Sequence, residues 1–188
     1  TQSSLLFALP GPRRDDPDWY AAEIANYIVG GGGFSSRLMQ KVRDEKGLTY
    51  GINTSLAAMD HGALIVGQAA VRNADAGEAW KLIRATIDDA YDDGVTDEEV
   101  EQAKDYLIGS LPLELTSLDK IAGVMVDLQL DRRGRDYLAR RKELLRAVTR
   151  EDVEHALRKW FNPEGIILSA VGKPEGLEPT QTHAMIRE

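Results

Sequence analysis

A strand, turn and strand pattern near the middle of the chain constrains its fold most strongly. The first segment, residues 49–59, alternates with the period of a strand, most clearly at Tyr50, Ile52, Thr54 and Leu56. Asp60-His61-Gly62 is typical of a hairpin turn, and residues 63–71 form a second strand rich in small side chains. A hairpin makes its two strands antiparallel neighbours, so we expect an antiparallel sheet.

Other strand and helix patterns surround this hairpin. Residues 4–9 form an apolar run stopped by prolines, and residues 165–172 form a final buried strand. Asp16-Pro17 marks the start of a first helix, with Asp16 able to cap it. Residues 73–161 are helical almost throughout, and Thr96-Asp97-Glu98-Glu99 within them is a capping box.

This order of elements predicts an α+β domain in which helices pack on one face of a largely antiparallel sheet. No repeat or linker divides the chain, so we assign residues 1–173 to one domain. Residues 174–188 lack periodicity, and we expect them to form a loosely ordered tail. The chain begins at Thr1 without Met and runs at once into a strand, which indicates a piece of a longer protein.

The composition argues against several classes of function. The 188 residues carry a formal net charge of -8, which disfavours nucleic acid as a partner because phosphate binding needs a basic face. The sequence contains no cysteine, so disulfides, thiolate metal sites and thiol nucleophiles are excluded. No apolar run reaches the ~20 residues that a membrane span needs.

Four consecutive glycines, Gly30 to Gly33, end the first helix and precede Phe34. A run of four needs a reason, because glycine loses much conformational entropy on folding. One reason is close approach of the backbone to a ligand. The other is a flexible joint between two helices, and the glycines alone favour it. Ser35 and Ser36 are then expected to cap a second helix.

Arg43 and Tyr50 are seven residues apart, and Gly47 between them suits a turn from helix to strand. Such a layout can bring a guanidinium and a phenol to one place, where both donate hydrogen bonds to a developing oxyanion. The alternative is a surface charge next to a residue that merely begins a strand. The residues alone favour this alternative.

Histidines and carboxylates offer little for a metal. His61 lies in the hairpin turn and His183 in the tail, while Glu151, Glu154 and His155 imitate an inverted zinc motif whose first His is replaced. No third ligand accompanies them, and the segment is charged like a solvated helix face. Because a catalytic zinc needs three protein ligands, we expect no metal site in this chain.

The segment GGGGFSSRLMQKVRDEKGLTYGINTSL, Gly30 to Leu56, closely resembles the second domain of the insulinase (pitrilysin-type) zinc peptidases. The resemblance extends over nearly the whole chain. It includes the strand before the DPD segment at Asp16, the TDEEV helix at Thr96 and the TREDV helix at Thr149.

The resemblance implies a zinc metalloendopeptidase built from homologous α+β domains that enclose a peptide-holding chamber. Zinc and the HxxEH motif belong to another domain or subunit. This chain has no HxxEH, so by itself it is expected to be inactive. The resemblance assigns catalytic roles to Arg43 and Tyr50, which match the family's pair in identity and spacing. It assigns substrate binding to Gly30, Gly31, Gly32, Gly33 and Phe34.

Other functions stay open on the sequence. The chain can instead be a non-catalytic core or scaffold subunit of a peptidase-like assembly, although Arg43 and Tyr50 argue against it. It can also be an independent binding module. The resemblance implies two partners, a zinc-bearing homologous half and a peptide substrate, and an apolar face without its partner allows a homodimer. The compartment, periplasm or cytoplasm of a bacterium, is not determined.

Overall fold

Four strands form one antiparallel sheet in the computed structural model, which describes residues 1–180 but not the side chain of Glu114. The strands are β1 (Gln2–Pro10), β2 (Thr49–Ala58), β3 (Ala63–Arg72) and β4 (Ile167–Val171). Their order across the sheet is β2-β3-β1-β4, and each pair is antiparallel. The predicted hairpin and the predicted α+β class are therefore confirmed.

Helices supply the second layer of the fold. In chain order they are α1 (Trp19–Asn26), α2 (Ala76–Asp93), α3 (Asp97–Gly109), α4 (Leu111–Glu114), α5 (Leu118–Leu130), α6 (Tyr137–Ala147) and α7 (Arg150–Trp160). Thr96 caps α3 through the predicted capping box with Glu99. Helix α1 begins two residues later than predicted, and a turn precedes it in which Asp16 accepts from the N–H of Asp18 through its carboxylate and from the N–H of Trp19 through its carbonyl.

The sheet has one covered face and one open face. Leu5, Phe7 and Leu9 of β1 alternate into the core, where they join Ile83 of α2 and Leu157 of α7. The open face consists of the even-numbered residues of β1 and β3, residues 167, 169 and 171 of β4, and residues 50, 51, 53, 55 and 57 of β2. No described helix covers these open-face positions, which are exposed or half-buried.

The segment after α1 contains the predicted second helix in a largely π-helical form. A π-helical turn (Tyr27–Gly31) and a 3-10 turn (Gly33–Ser35) come first, and the helix covers residues 37–44 and is π-helical from Met39 to Asp44. The predicted capping by the two serines is wrong. Ser35 and Ser36 donate their hydroxyl hydrogens to the carbonyl oxygens of Gly32 and Gly33, at 3.0 and 2.8 Å. Their side chains thus close the glycine turn instead of accepting from the next helix.

The beginning of the predicted tail is attached to the domain. The backbone N–H of Glu175 donates to the carbonyl of Asn73 at 2.8 Å, and the Glu175 carbonyl accepts from the N–H of Gly77 at 2.9 Å. Leu177 packs against the core. The last part of the tail, residues 181–188, including His183, lies outside the described residues. Among the helices of residues 1–180, none has the length and apolarity to cross a membrane.

Candidate functional site

A β-bulge places Tyr50 on the open face of the sheet. Thr49 pairs with Val71 and Ile52 pairs with Ala69, so Tyr50 and Gly51 together stand opposite the single residue Ala70. The alternation in the sequence would put Tyr50 on the covered face with Ile52. The extra residue reverses this direction, as a bulge does. The Tyr50 side chain is 86% exposed, and its hydroxyl has no hydrogen-bond partner among residues 1–180.

Thr49 stabilises this bulge through its hydroxyl group. Its Oγ1 lies 2.7 Å from the carbonyl oxygen of Ala70 and 2.8 Å from that of Gly51, so it can donate to either. The same oxygen accepts from the Gly51 N–H at 3.2 Å. Thr49 is buried, and these contacts fix the backbone from which the Tyr50 side chain projects.

Arg43 lies on the π-helical segment that leads into β2. Gly47 makes the turn with φ +64°, and the Leu48 N–H donates to the Val42 carbonyl at 3.0 Å. The Arg43 Nη1 donates to Asp44 at 2.9 Å, and its guanidinium carbon lies 4.8 Å from the centre of the Phe34 ring. The Arg43 side chain is 37% exposed, and its other N–H groups remain available for a ligand.

Close packing, and not flexibility, explains most of the glycine run. A Cβ on Gly30 would lie 2.5 Å from Thr54 Oγ1, and one on Gly31 would lie 2.5 Å from Asn26 Nδ2. A Cβ on Gly32 would lie 2.7 Å from the carbonyl oxygen of Tyr27, and Gly33 has a φ of +57°. The close contacts of Gly30, Gly31 and Gly32 with α1 and β2 favour tight packing over the joint that the glycines alone favoured.

Arg37 links this turn to the end of α2 and the start of α3. Its Nε and Nη2 donate to the two carboxylate oxygens of Glu99 at 2.7 and 2.8 Å, and Nη2 also donates to the Gly94 carbonyl at 3.0 Å. Burial tends to raise the pKa of Glu99, but the bonds from Arg37 and Thr96 outweigh it and hold that pKa below its usual value. Arg37 directly follows the glycine turn, but its contacts could not be predicted from local sequence because Gly94 and Glu99 are distant in the chain.

A shallow hollow of about 410 Å³ lies beside the bulge. Ser4, Gly51, Asn53, Gln68 and Ala70 contribute to its lining from the open face. These groups are small or neutral and polar, and the hydroxyl and the two amides can both donate and accept hydrogen bonds. The hollow therefore suits an uncharged polar group near Tyr50.

A second cavity of about 320 Å³ lies between α1 and the outer edge of β2, where Gly31 contributes to its lining. Four of its lining residues have buried polar atoms without a hydrogen-bond partner in the described structure. They are Trp19 Nε1, Glu23 Oε2, Asn26 Oδ1 and Thr54 Oγ1. Such atoms call for a partner, since leaving them unpaired costs roughly 1–3 kcal/mol each.

Glu154 and His155, which imitate part of a zinc motif, lie next to other charged side chains. Glu154 accepts from Arg150 at 2.9 Å, and Arg158 lies 3.6 Å from it. His155 Nε2 lies 3.8 Å from Asp18. In the part of the chain that the structure describes, no group of three or more metal-ligating side chains is present, so these residues do not fit a zinc ion.

The chain is similar to a family of known proteins and to several of its members. The sequence profile of the peptidase M16 inactive domain matches residues 1–107, more than half of the chain. An uncharacterized zinc protease of Streptomyces coelicolor is 32% identical over 114 residues, which are 61% of this chain and 25% of that protein. A non-peptidase homolog of Helicobacter pylori is 30% identical over 114 residues, 60% of this chain and 26% of that protein.

The same likeness holds for solved structures. A peptidase M16 inactive domain from Pseudomonas fluorescens has a TM-score of 0.82 and 30% identity, covering 95% of this chain and 42% of that one. The aligned part of the chain covers less than half of each of these three proteins.

Proposed function

Because the chain belongs to the peptidase M16 inactive-domain family, the predicted insulinase-type resemblance is confirmed, and we propose that the chain is the substrate-binding and transition-state-assisting half of a zinc metalloendopeptidase. One observation carries this proposal. The bulge at Tyr50 turns an otherwise unpartnered phenol onto the open face, at the end of β2 where Arg43 leads into the strand.

Zinc is not held by this chain in the proposal. Its described residues do not form a zinc site, and the metal, together with the water that it activates, belongs to a homologous half outside this sequence. The name of the Streptomyces relative, a zinc protease, supports such a parent protein. The half described here is inactive alone.

Arg43 and Tyr50 act on the substrate carbonyl oxygen in this proposal. The Tyr50 hydroxyl donates one hydrogen bond to the oxygen as negative charge develops on it, and the guanidinium of Arg43 supplies a second. Donors directed at a developing oxyanion stabilise the transition state more than the ground state. The contacts of Arg43 with Asp44 and Phe34 hold the guanidinium while leaving other N–H groups free.

The glycine turn and the edge of β2 bind the peptide backbone. β2 is an outer strand of the described sheet, so an extended peptide can pair with it as an added strand. Gly30 to Gly33 keep the turn close to this edge, where Gly31 lines the second cavity. Phe34, 69% exposed at the end of the turn, adds an apolar contact.

A core or scaffold subunit is the second candidate function. It is favoured by helix α5, which has no buried residue although Leu118, Val126 and Leu130 are apolar and exposed. Such a helix suits a lasting contact with another subunit. The name of the Helicobacter relative, a non-peptidase homolog, is in line with this alternative.

The proposal is tested with the full-length parent, or with this half mixed with its zinc-bearing partner. Cleavage of a quenched fluorescent peptide is measured with and without a chelator for the wild type, Arg43→Ala and Tyr50→Phe. We expect chelator-sensitive cleavage that collapses in both variants while folding is unchanged. Zinc-dependent cleavage that is indifferent to both changes contradicts the proposed roles, and no cleavage in any combination favours the scaffold.

A further inference from the structure

The open face is nearly free of charge, although charged residues make up 29% of the chain. Among its residues on β1, β2, β3 and β4, the charged side chain is Arg72, at one end of β3. Arg72 is itself paired with Asp75. The protein as a whole has a net charge of -8, so this neutral face differs sharply from the rest of the surface.

Side chains on the open face change character with distance from Tyr50. The row nearest to Tyr50 runs through Ala70 of β3 and Ser4 of β1, and the next row joins Asn53, Gln68 and Leu6. Apart from Leu6, and from Val171 of β4 opposite Ser4, the side chains of these rows are small or polar, and the 410 Å³ hollow lies among them.

Farther toward the hairpin turn, the rows become apolar. Val66 and Ala8 pair across the sheet with Ile167 of β4, and Leu64 follows. Leu64 is 37% exposed and Ile167 is 72% exposed, so apolar surface is open to a ligand there.

We infer that the open face receives an extended peptide segment whose side chains are uncharged and mostly apolar, so the parent enzyme selects against charged residues in that segment. This inference rests on the proposed function: the segment that contacts the open face is the part of the substrate beyond the residues paired with the edge of β2. The occupant is a peptide because the phenol of Tyr50 and the amides of Asn53 and Gln68 leave hydrogen-bonding groups at one end of the face.

The selectivity follows from desolvation. A charged side chain placed on this face would lose water without gaining a counter-ion, because the nearest charge on the face, Arg72, is already neutralised by Asp75. An apolar side chain would instead bury Leu6, Leu64 or Ile167 together with itself. A neutral partner is therefore complementary to the neutral surface.

The test uses the full-length parent and a set of quenched fluorescent peptides that share one cleavage sequence. Each position of the peptide is varied in turn among Leu, Asn, Lys and Asp. At the positions that contact the face, we expect Lys or Asp to lower kcat/KM by about tenfold or more relative to Leu. Equal kcat/KM for charged and neutral peptides at every position overturns the inference.

Charge changes at Gln68 test whether the open face is responsible for the selectivity against charged peptides. Gln68 is exposed on the central part of the open face, and Gln68→Glu keeps the shape of the side chain. We expect Gln68→Glu to raise kcat/KM for the Lys peptide and lower it for the Asp peptide, and Gln68→Lys to do the reverse. Gln102, exposed on α3, gives the matched controls Gln102→Glu and Gln102→Lys, which should change neither preference.

Binding measurements separate this inference from the proposed function. If no peptide is cleaved, the same labelled peptides are titrated with the parent protein by fluorescence anisotropy. The inference is supported, even though the proposed activity has failed, if neutral peptides bind and if the preference between the Lys and Asp peptides is opposite in Gln68→Glu and Gln68→Lys. Binding without charge dependence overturns it. A change of oligomeric state caused by the Gln68 variants, seen by light scattering, also overturns it, because a second copy then covers the face.

Discussion

The guanidinium carbon of Arg43 lies 4.8 Å from the centre of the Phe34 ring. The glycine turn, which ends at Phe34, is therefore in contact with the π-helical segment that leads into β2. Phe34 is 69% exposed, so the position of its ring is set by the backbone of the glycine turn and not by packing in the core. The Arg43 guanidinium is held from one side by this ring and from another by Asp44. The two segments that carry the candidate site are therefore coupled.

Replacing Phe34 by Leu should weaken the hold on Arg43 without unfolding the protein. An exposed cation–π contact contributes about 0.5–1 kcal/mol, so we expect kcat/KM of the full-length protein to fall about two- to fivefold. Phe34→Tyr keeps an aromatic ring and should retain most of the activity. A Phe34→Leu protein with unchanged kinetics would remove Phe34 from the site.

Thr49→Val should disturb the direction of Tyr50. The substitution keeps the shape but removes the hydroxyl that contacts Ala70 and Gly51, and we expect the free energy of unfolding to drop by about 1 kcal/mol. Because the bulge positions the phenol, kcat should fall roughly tenfold or more while KM changes little.

Thr49→Ser supplies the control, since it restores the hydroxyl at the same place. Steady-state kinetics and urea unfolding of both variants make the comparison. A loss of stability in Thr49→Val with normal kcat would assign Thr49 a purely structural role.

The glycines of the turn should differ in their tolerance of Ala. Gly30→Ala places a methyl group 2.5 Å from Thr54 Oγ1 and 2.9 Å from Leu38 Cδ1, inside the core. Overpacking of this kind costs about 1–3 kcal/mol. At Gly33 no atom lies within 4 Å of the added methyl, and the cost is the backbone strain at positive φ, about 1 kcal/mol.

Chemical denaturation of both variants measures whether Gly30→Ala lowers the free energy of unfolding more than Gly33→Ala does. Gly33→Ala should also move Phe34, and with it Arg43, so its effect on activity should exceed its effect on stability. Equal tolerance at Gly30 and Gly33 would contradict the packing explanation.

The ion pair between Arg37 and Glu99 should make stability depend on pH in the acid range. Because the pKa of Glu99 is lowered in the folded state, its contribution is complete above the unfolded pKa of about 4.3 and is lost as pH falls through the folded value. Arg37→Gln should cost about 1 kcal/mol at pH 7, and the difference from the wild type should shrink below about pH 4.3.

Urea unfolding at several pH values measures this difference. Arg13→Gln is the control, since the Arg13 and Asp15 side chains are 61% and 77% exposed. A difference between wild type and Arg37→Gln that persists unchanged down to pH 3 would rule out Glu99 as its source.

Much of the fold could be predicted from local patterns. The hairpin at Asp60-His61-Gly62, the final strand before Gly172 and the capping box at Thr96 all follow from residues that are close in sequence. The final strand was predicted to be buried, which is wrong, because it lies at the edge of the sheet and is largely exposed. Turn residues, caps and apolar periodicity act over a few positions, so a single sequence reveals them.

The orientation of the site could not be predicted in the same way. The bulge at Tyr50 depends on contacts with Ala70, twenty residues away, and the glycine turn depends on the approach of Thr54. Similarly, the contacts of Arg37 with Gly94 and Glu99 join distant segments. Alternation alone therefore predicts that Tyr50 faces the core, whereas long-range pairing turns it to the open face.

The most direct test of the account is the effect of Tyr50→Phe on kcat in the full-length, zinc-bearing protein. Tyr106, 58% exposed on α3, provides the matched control Tyr106→Phe. We predict that Tyr50→Phe lowers kcat about 10²-fold, as expected for the loss of one oxyanion donor, with the same unfolding midpoint as the wild type, while Tyr106→Phe keeps full activity. A Tyr50→Phe enzyme that cleaves as fast as the wild type would contradict the proposed role of this half in catalysis.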